Sequence, residues 1–216
     1  MGYREGDTLM ISDITKELEL RYDCRLVRLT GGFTNNTFLM EGTSPLLVAK
    51  VARLMDNDTL NEINSLHFLK DTGITPIIHD VLEISNMRIV LMDYRHGVNG
   101  QYILDSGNLE HAQTLYKNLG QVLASQIHSK SLNASQHGIR KSDTAMLKSK
   151  LEAEFVPENL IRQSSIVLSS MNDNEQNWVL THGDYGSHNI LFDLENNFTV
   201  LDWEWAEWGN PLHDVA

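Results

Sequence analysis

The sequence predicts an α+β protein of two lobes, an N-terminal antiparallel β lobe followed by a mainly helical C-terminal lobe, with a cleft between them. Three observations carry this. Short apolar segments separated by turn residues fill the chain up to about residue 96, with one lone helical pattern among them. From residue 109 the apolar spacing lengthens to helical steps, and short strands return only towards the C-terminus. No internal repeat breaks this order. The expected join lies near His96 to Gly100, with one lobe over residues 1–96 and the second over 97–216.

Residues 12–21 read as an opening helix that starts at Ser12 or Asp13 and turns Leu18 inward. Cys24 to Thr30 and Asn36 to Met40 read as strands flanking the turn-rich Thr30-Gly31-Gly32-Phe33-Thr34-Asn35. Leu46 to Ala52 is a third strand after a turn at Glu41 to Pro45. Asn57 to Asp71 is a helix, since Leu60, Ile63, Leu66 and Leu69 recur at three-residue steps and Gly73 lies just past its end. Val81 to Ile84 and Met87 to Met92 form a hairpin about Ser85-Asn86. A long amphipathic helix runs from Leu109 to Ile127, capped by Asn108. Asp143 to Glu154 and Glu158 to Ser170 are two further helices separated by Pro157, and Trp178 to Thr181, Asn189 to Phe192 and Phe198 to Leu201 are short strands.

Composition excludes several classes. The 216 residues carry 17 basic and 29 acidic side chains, a formal charge of −12, which disfavours a general nucleic-acid binder because phosphates need a cationic face. The one cysteine, Cys24, forms no internal disulfide, so a stapled secreted scaffold is excluded. No apolar run approaches the roughly 18–20 residues that span a bilayer, and the start lacks the apolar core of a signal peptide. A cytoplasmic protein without membrane partners is the expectation.

The densest chemical signal is Thr181-His182-Gly183-Asp184-Tyr185-Gly186-Ser187-His188-Asn189-Ile190-Leu191-Phe192, followed by Val200-Leu201-Asp202-Trp203-Glu204. Phosphoryl transfer needs a group that orients the attacking hydroxyl and accepts its proton, together with oxygen ligands for Mg²⁺. Asp184, in a tight loop, suits the first role. Asn189 and Asp202, on either arm of a β-hairpin, supply an amide and a carboxylate oxygen for the metal. Each alone reads equally as a turn residue or a helix cap; the three at these spacings beside apolar strands read as a site.

On these residues the sequence resembles the aminoglycoside phosphotransferase and choline kinase family, relatives of the protein kinases. His182-Gly183-Asp184 with Asn189, the following Asp202-Trp203-Glu204, and the terminal Gly209 to Ala216 look like that family's catalytic loop, metal loop and anchoring segment. The resemblance implies a bilobal protein-kinase-like fold, ATP and Mg²⁺ as cofactors, and transfer of the γ-phosphoryl group to a small-molecule hydroxyl. It implies that His182 shapes the catalytic loop, with direct proton exchange the other reading, and that Asp214 braces that loop through backbone amides. Trp203, Trp205 and Trp208 read as packing rather than as a stacking platform.

ATP also needs a cation against its phosphates. Lys50 lies mid-strand in Leu46 to Ala52, on the same face as Val48, and a charge there is costly unless paired or ligand-bound. Its expected partner is Glu62, with Asp56, Asp58 and Asp71 as nearby alternatives; snorkelling from a sheet edge is the bland reading of Lys50. By the same resemblance Val48 contacts adenine, Leu191 forms its floor, and the turn carrying Gly31, Gly32 and Asn36 covers the phosphates. Asp93 and Tyr94 fall at the inter-lobe hinge.

The acceptor stays open among aminoglycosides, choline-like amines, sugars and amino alcohols. Glu152, Glu154, Glu158, Glu204 and Glu207 are candidates to meet a cationic one, or are solvated faces. The resemblance stops at Ala216, where family members usually continue through several helices. The second lobe is therefore expected to be incomplete, and each Å² of apolar surface left bare costs about 25 cal/mol, which favours association. A protein kinase fits less well, because no activation segment ending in Ala-Pro-Glu follows. The alternative outside the enzymes is a non-catalytic nucleotide-binding or interaction module.

Overall fold

A seven-residue strand buried along all but its last position organises the N-terminal half: β3, Leu47–Arg53. It lies in the middle of a five-stranded antiparallel sheet of order β1-β2-β3-β5-β4, with β1 at Arg25–Arg28, β2 at Asn36–Glu41, β4 at Ile78–Ile84 and β5 at Met87–Asp93. The computed structural model describes residues 5–29, 36–132, 138–143, 157–170, 177–193 and 197–215. Strand alternation divides β3 between two packing layers. Leu47, Ala49 and Val51 pack with Phe38, Met40, Ile89 and Leu91, beneath Ile14 and Leu18 of helix α1, Glu5–Tyr22. Val48 packs on the opposite face with Val90, Met92 and Ile63 of helix α2, Asn57–Leu69.

α1 begins earlier than the sequence indicates and runs straight through exposed Ser12 and Asp13, which therefore cap nothing. Ile14 and Leu18 are buried on the sheet, and this packing holds the helix in place. α2 is capped by Asp56, whose carboxylate accepts from the amides of Asp58 at 2.9 Å and Thr59 at 3.4 Å. The three-residue leucine step fails at Leu60, which the 3.6-residue period turns out to 43% exposure while Asn61, Glu62 and Ser65 turn inward. The β4–β5 hairpin turns at Ser85 and Asn86, both at positive φ, as a two-residue turn between twisted strands requires.

The C-terminal half begins with β6, Val98–Asn99, and a short helix α3, Gly100–Asp105. Helix α4, Leu109–Val122, follows; Asn108 caps it, accepting from Glu110 and His111, and it ends in a widened turn at Leu123–Ile127. A helix covers Glu158–Ser170 as expected. The expected Asp143 to Glu154 helix, beyond its first residue, and the Thr30 to Asn35 turn lie outside the described residues.

Two small antiparallel sheets finish the chain. β8 at Ile190–Phe192 lies between β6 and β9 at Phe198–Val200, and β7 at Val179–Thr181 pairs with β10 at Glu207–Gly209. Leu115, Leu119, Leu123 and Ile127 bury their row against Leu180, Ile190, Val200, Trp203 and Trp208. The unforeseen elements β6, α3 and β10 are short, and partners distant in the chain hold them. No helix among the described residues is long and apolar enough to cross a membrane.

Candidate active site

The lysine of β3 is held by three carboxylates. Lys50 Nζ lies 2.6 Å from Glu62 Oε2 on α2, 3.1 Å from Asp202 Oδ1 just after β9, and 3.7 Å from Glu204 Oε2. Lys50 and Glu62 are both buried, so neither tolerates loss of the other. Burial favours the neutral amine, but Glu62, Asp202 and Glu204 outweigh it, and the Lys50 pKa ends above the ordinary lysine value. Burial pushes the Glu62 carboxyl up, with Lys50 pulling it back. Glu204 is raised by burial and then by the neighbouring Asp202. Asp56, Asp58 and Asp71 are not the partners of Lys50: Asp56 caps α2 and Asp58 pairs with Arg140 at 2.9 Å.

Asn61 ties α2 to the turn that carries Glu204. Its amide donates to the backbone oxygens of Glu204 at 3.1 Å and Ala206 at 2.7 Å, and its oxygen accepts from Arg140 N at 3.0 Å. The guanidinium of Arg140 also donates to Glu204 O. A polar residue on the inward face of a helix, one place before the glutamate, was the available signal for Asn61.

The His182 to Asn189 loop is braced from below. Asp214, its side chain wholly buried, accepts from His182 N at 2.9 Å and Gly183 N at 2.8 Å, and His128 Nε2 lies 3.0 Å from its Oδ2. His182 Nε2 donates to Leu201 O at 2.8 Å, and its Nδ1 accepts from Asp184 N at 3.3 Å, which fixes one neutral tautomer. Burial lowers the His182 pKa. Gly183 has φ 81°, and a Cβ there would stand 2.4 Å from Trp205 O, so the turn admits glycine alone.

Asp184 itself is open. Its side chain is 53% exposed, and Oδ2 accepts from Asn189 Nδ2 at 3.0 Å and lies 3.2 Å from His188 Nε2. Asn189 Nδ2 also reaches Asp184 O at 3.0 Å, which leaves the Asn189 side-chain oxygen for another partner. Leu201 N donates to Asn189 O at 2.8 Å, so the stretch before β8 lies beside the one that ends in Asp202. Asp202 adopts φ 62° and ψ 61°, a left-handed conformation that a non-glycine residue holds only where its surroundings enforce it.

Among the described residues no three His, Cys, Asp or Glu side chains gather into a metal site. A divalent ion here would rest on Asp202 and the Asn189 oxygen plus ligands from a bound phosphate, which suits Mg²⁺, an ion usually bound by one or two carboxylates and substrate oxygens.

The remaining sequence candidates fall as follows. Val48 and Leu191 are at least partly buried, Leu191 against Gly97. Asp93 accepts from Ile77 N and pairs with Arg95 at 2.9 Å, while the Asp93 and Tyr94 amides are already bonded to the oxygens of Ile77 and Leu46. Asn36 is buried, and its Nδ2 has no partner among the described residues. Gly31 and Gly32 lie outside them. Glu204 and Glu207 do not form an acidic acceptor face: Glu204 is buried against Lys50 and Glu207 holds His213 at 2.9 Å. Glu152 and Glu154 are outside the described residues, and Glu158 is exposed. Trp203 and Trp208 are core, but Trp205 is 53% exposed, so packing accounts for two of the three indoles only.

Residues 25–216 match the family described as phosphotransferase enzymes. The chain belongs to that family. No curated protein matches its sequence. Among solved structures it is similar to a thermostable mutant of aminoglycoside phosphotransferase APH(4)-Ia in ternary complex with AMP-PNP and hygromycin B, at 18% identity and a TM-score of 0.68, over 94% of this chain and 74% of that one. Spectinomycin phosphotransferase APH(9)-Ia with ADP and spectinomycin is similar at 17% and 0.64, over 94% and 71%. Macrolide 2'-phosphotransferase MphH from Brachybacterium faecium is similar at 20% and 0.67, over 94% and 75%. At these identities the likeness is one of fold: this phosphotransferase has the mixed, kinase-like architecture of those enzymes.

Proposed function

We propose that this phosphotransferase is an ATP-dependent kinase that moves the γ-phosphoryl group onto a hydroxyl of a small molecule, from a cleft between lobes 1–96 and 97–216. The observation that most supports the reading is the contact of Lys50 with both Glu62 and Asp202, residues from three separate elements meeting at one cation. Lys50 offsets charge on the phosphates, and Glu62 holds it in place. Val48 and Leu191 enclose the adenine beside Asp93 and Tyr94; the turn carrying Gly31 and Gly32 covers the phosphates together with Asn36, whose amide has no partner among the described residues. Asn189 and Asp202 hold Mg²⁺, which neutralises phosphate charge when bound.

Asp184 accepts the proton of the attacking hydroxyl and aligns its oxygen with the γ-phosphorus. Its half-open side chain leaves room for the acceptor, while Asn189 steadies one oxygen. His182 and Asp214 touch no substrate and keep the loop in shape. Catalysis is then positioning and electrostatics without a covalent enzyme intermediate. The acceptor is an aminoglycoside, a choline-like amine, a sugar or an amino alcohol; the similar structures hold hygromycin B and spectinomycin. The test is ADP release from ATP and Mg²⁺ across such a panel. Turnover with one class, lost in Asp184→Ala, is expected; nucleotide binding with no turnover on any acceptor would mark a non-catalytic module instead.

A further inference from the structure

Three consecutive residues just past the proposed hinge grip the turn that carries Asn189. The turn is a single 3₁₀ segment, Ser187–Asn189. Asn99, at the end of β6, donates from Nδ2 to His188 O at 2.7 Å, while its Oδ1 accepts from Gln101 N at 2.9 Å and so caps α3. Gln101 Oε1 accepts from Ser187 Oγ at 2.8 Å. Gly100 allows the approach: a Cβ there would stand 2.7 Å from Ser187 O, a backbone atom that cannot swing aside. β6 itself is paired to β8, with Asn99 opposite Leu191.

The neighbouring bonds extend this grip. Asn189, next in the chain to His188, donates from Nδ2 to the backbone oxygen and to Oδ2 of Asp184. From the other side the Asp184 loop is braced by Asp214 and His182, and these contact its first residues, His182 to Asp184. The last residues of the loop, Ser187 and His188, are tied down by side chains from residues 99 and 101. We infer that Asn99 is a positioning residue for phosphoryl transfer: with Gly100 and Gln101 it clamps the Ser187–Asn189 turn and so sets where Asn189 and Asp184 stand. This rests on the kinase reading of the site. An in-line transfer is sensitive to such placement, because a misplacement of about 1 Å can cost roughly a hundredfold in rate.

The chemistry of Asn99 gives a variant that separates the clamp from the helix cap. Asn99→Asp keeps a cap oxygen for Gln101 N, since aspartate caps as well as asparagine. It loses the N–H donor and points a carboxylate oxygen at the His188 carbonyl. Asn99→Ala removes both functions and measures the cap. In the full chain, Asn99→Asp is expected to melt close to wild type. Its ADP-release kcat should fall by roughly ten- to a hundredfold, and KM for magnesium-bound ATP should rise with it, because Asn189 is a proposed ligand of the ion. Hydrogen exchange of the 183–192 peptide should speed up while that of 100–105 stays slow.

A kcat within about twofold of wild type, or 183–192 exchange unchanged in Asn99→Asp, overturns the clamp. If the wild-type chain turns over no acceptor, the kinase reading falls by itself and the exchange measurement still decides the clamp: faster 183–192 exchange supports it and unchanged exchange refutes it.

Discussion

Lys50 and Asp184 sit in opposite surroundings. Lys50 is 8% exposed, saturated by carboxylates from α2 and from the segment after β9, and anchored in the most buried strand of the sheet. Asp184 is half exposed on a loop, with His188 and Asn189 as its side-chain partners among the described residues. The difference follows from the separate tasks proposed for them. A cation that meets phosphates gains from being fixed before the nucleotide arrives, because no reorganisation is then needed. A carboxylate that must meet a second substrate has to stay open, so its stiffness is borrowed from beneath, through His182 and Asp214.

That contrast predicts a ranking in which the open residue matters for rate alone and the closed ones also for stability. Asp184→Ala should lower kcat by roughly 10²- to 10⁴-fold, the usual worth of a positioned base. Its melting temperature should barely move, since the side chain makes few contacts; loss of fold together with loss of rate would break the contrast. Next, Trp203→Ala should cost about 3–5 kcal/mol in denaturant unfolding, as for other fully buried aromatics. Asp214→Ala should cost about 2–3 kcal/mol, because it strands the buried amide of His182 and removes the partner of the partly buried Gly183 amide.

A pH effect sharpens the same division. His182 has a lowered pKa in the folded chain, so the unfolded state takes up the proton first as pH falls. Its contribution to stability is therefore present above the unfolded value near pH 6.5 and is lost as pH falls from there towards the folded value. The slope due to one such group is at most about 1.4 kcal/mol per pH unit. His182→Asn should flatten the decline in melting temperature below pH 6.5; an unchanged slope would remove His182 as its source. The smallest effect is expected at Trp205, where replacement by alanine should shift stability by about 0.5 kcal/mol or less, typical of surface sites.

What the sequence revealed depended on the range of the signal. Strand alternation exposed Lys50 as a charge on an apolar face, and the Asp184, Asn189 and Asp202 spacing is short enough to read directly. The Ser85-Asn86 hairpin and the Asn108 cap were legible for the same reason: each is a local conformational demand. α1 extends ahead of Ser12 and Asp13, and the packing of Ile14 and Leu18 on the sheet that holds it is tertiary, not a local signal. The three-residue leucine step marks the helix but not its buried face, because it drifts off a 3.6-residue period and leaves Leu60 outward.

Other partners were invisible because they are set by tertiary approach. Asn61 reaches Glu204 O from 143 positions away, and Asn99 reaches His188 O from 89. Glu204 reads from the sequence as either a substrate-facing acid or a solvated one, because nothing local announces that its neighbour is a buried lysine. Trp205 differs from Trp203 in which way the turn after Asp202 presents it, while Trp208 is buried on β10.

The central claim is that Lys50, Asp202 and Asn189 receive a magnesium-bound nucleotide. The most direct test is calorimetric titration of ATP, with and without Mg²⁺, into the wild-type chain and Asp202→Asn. The account predicts that Mg²⁺ tightens ATP binding to the wild type and leaves binding to the variant no tighter than without the ion. Equal Mg²⁺ enhancement in both proteins would contradict it.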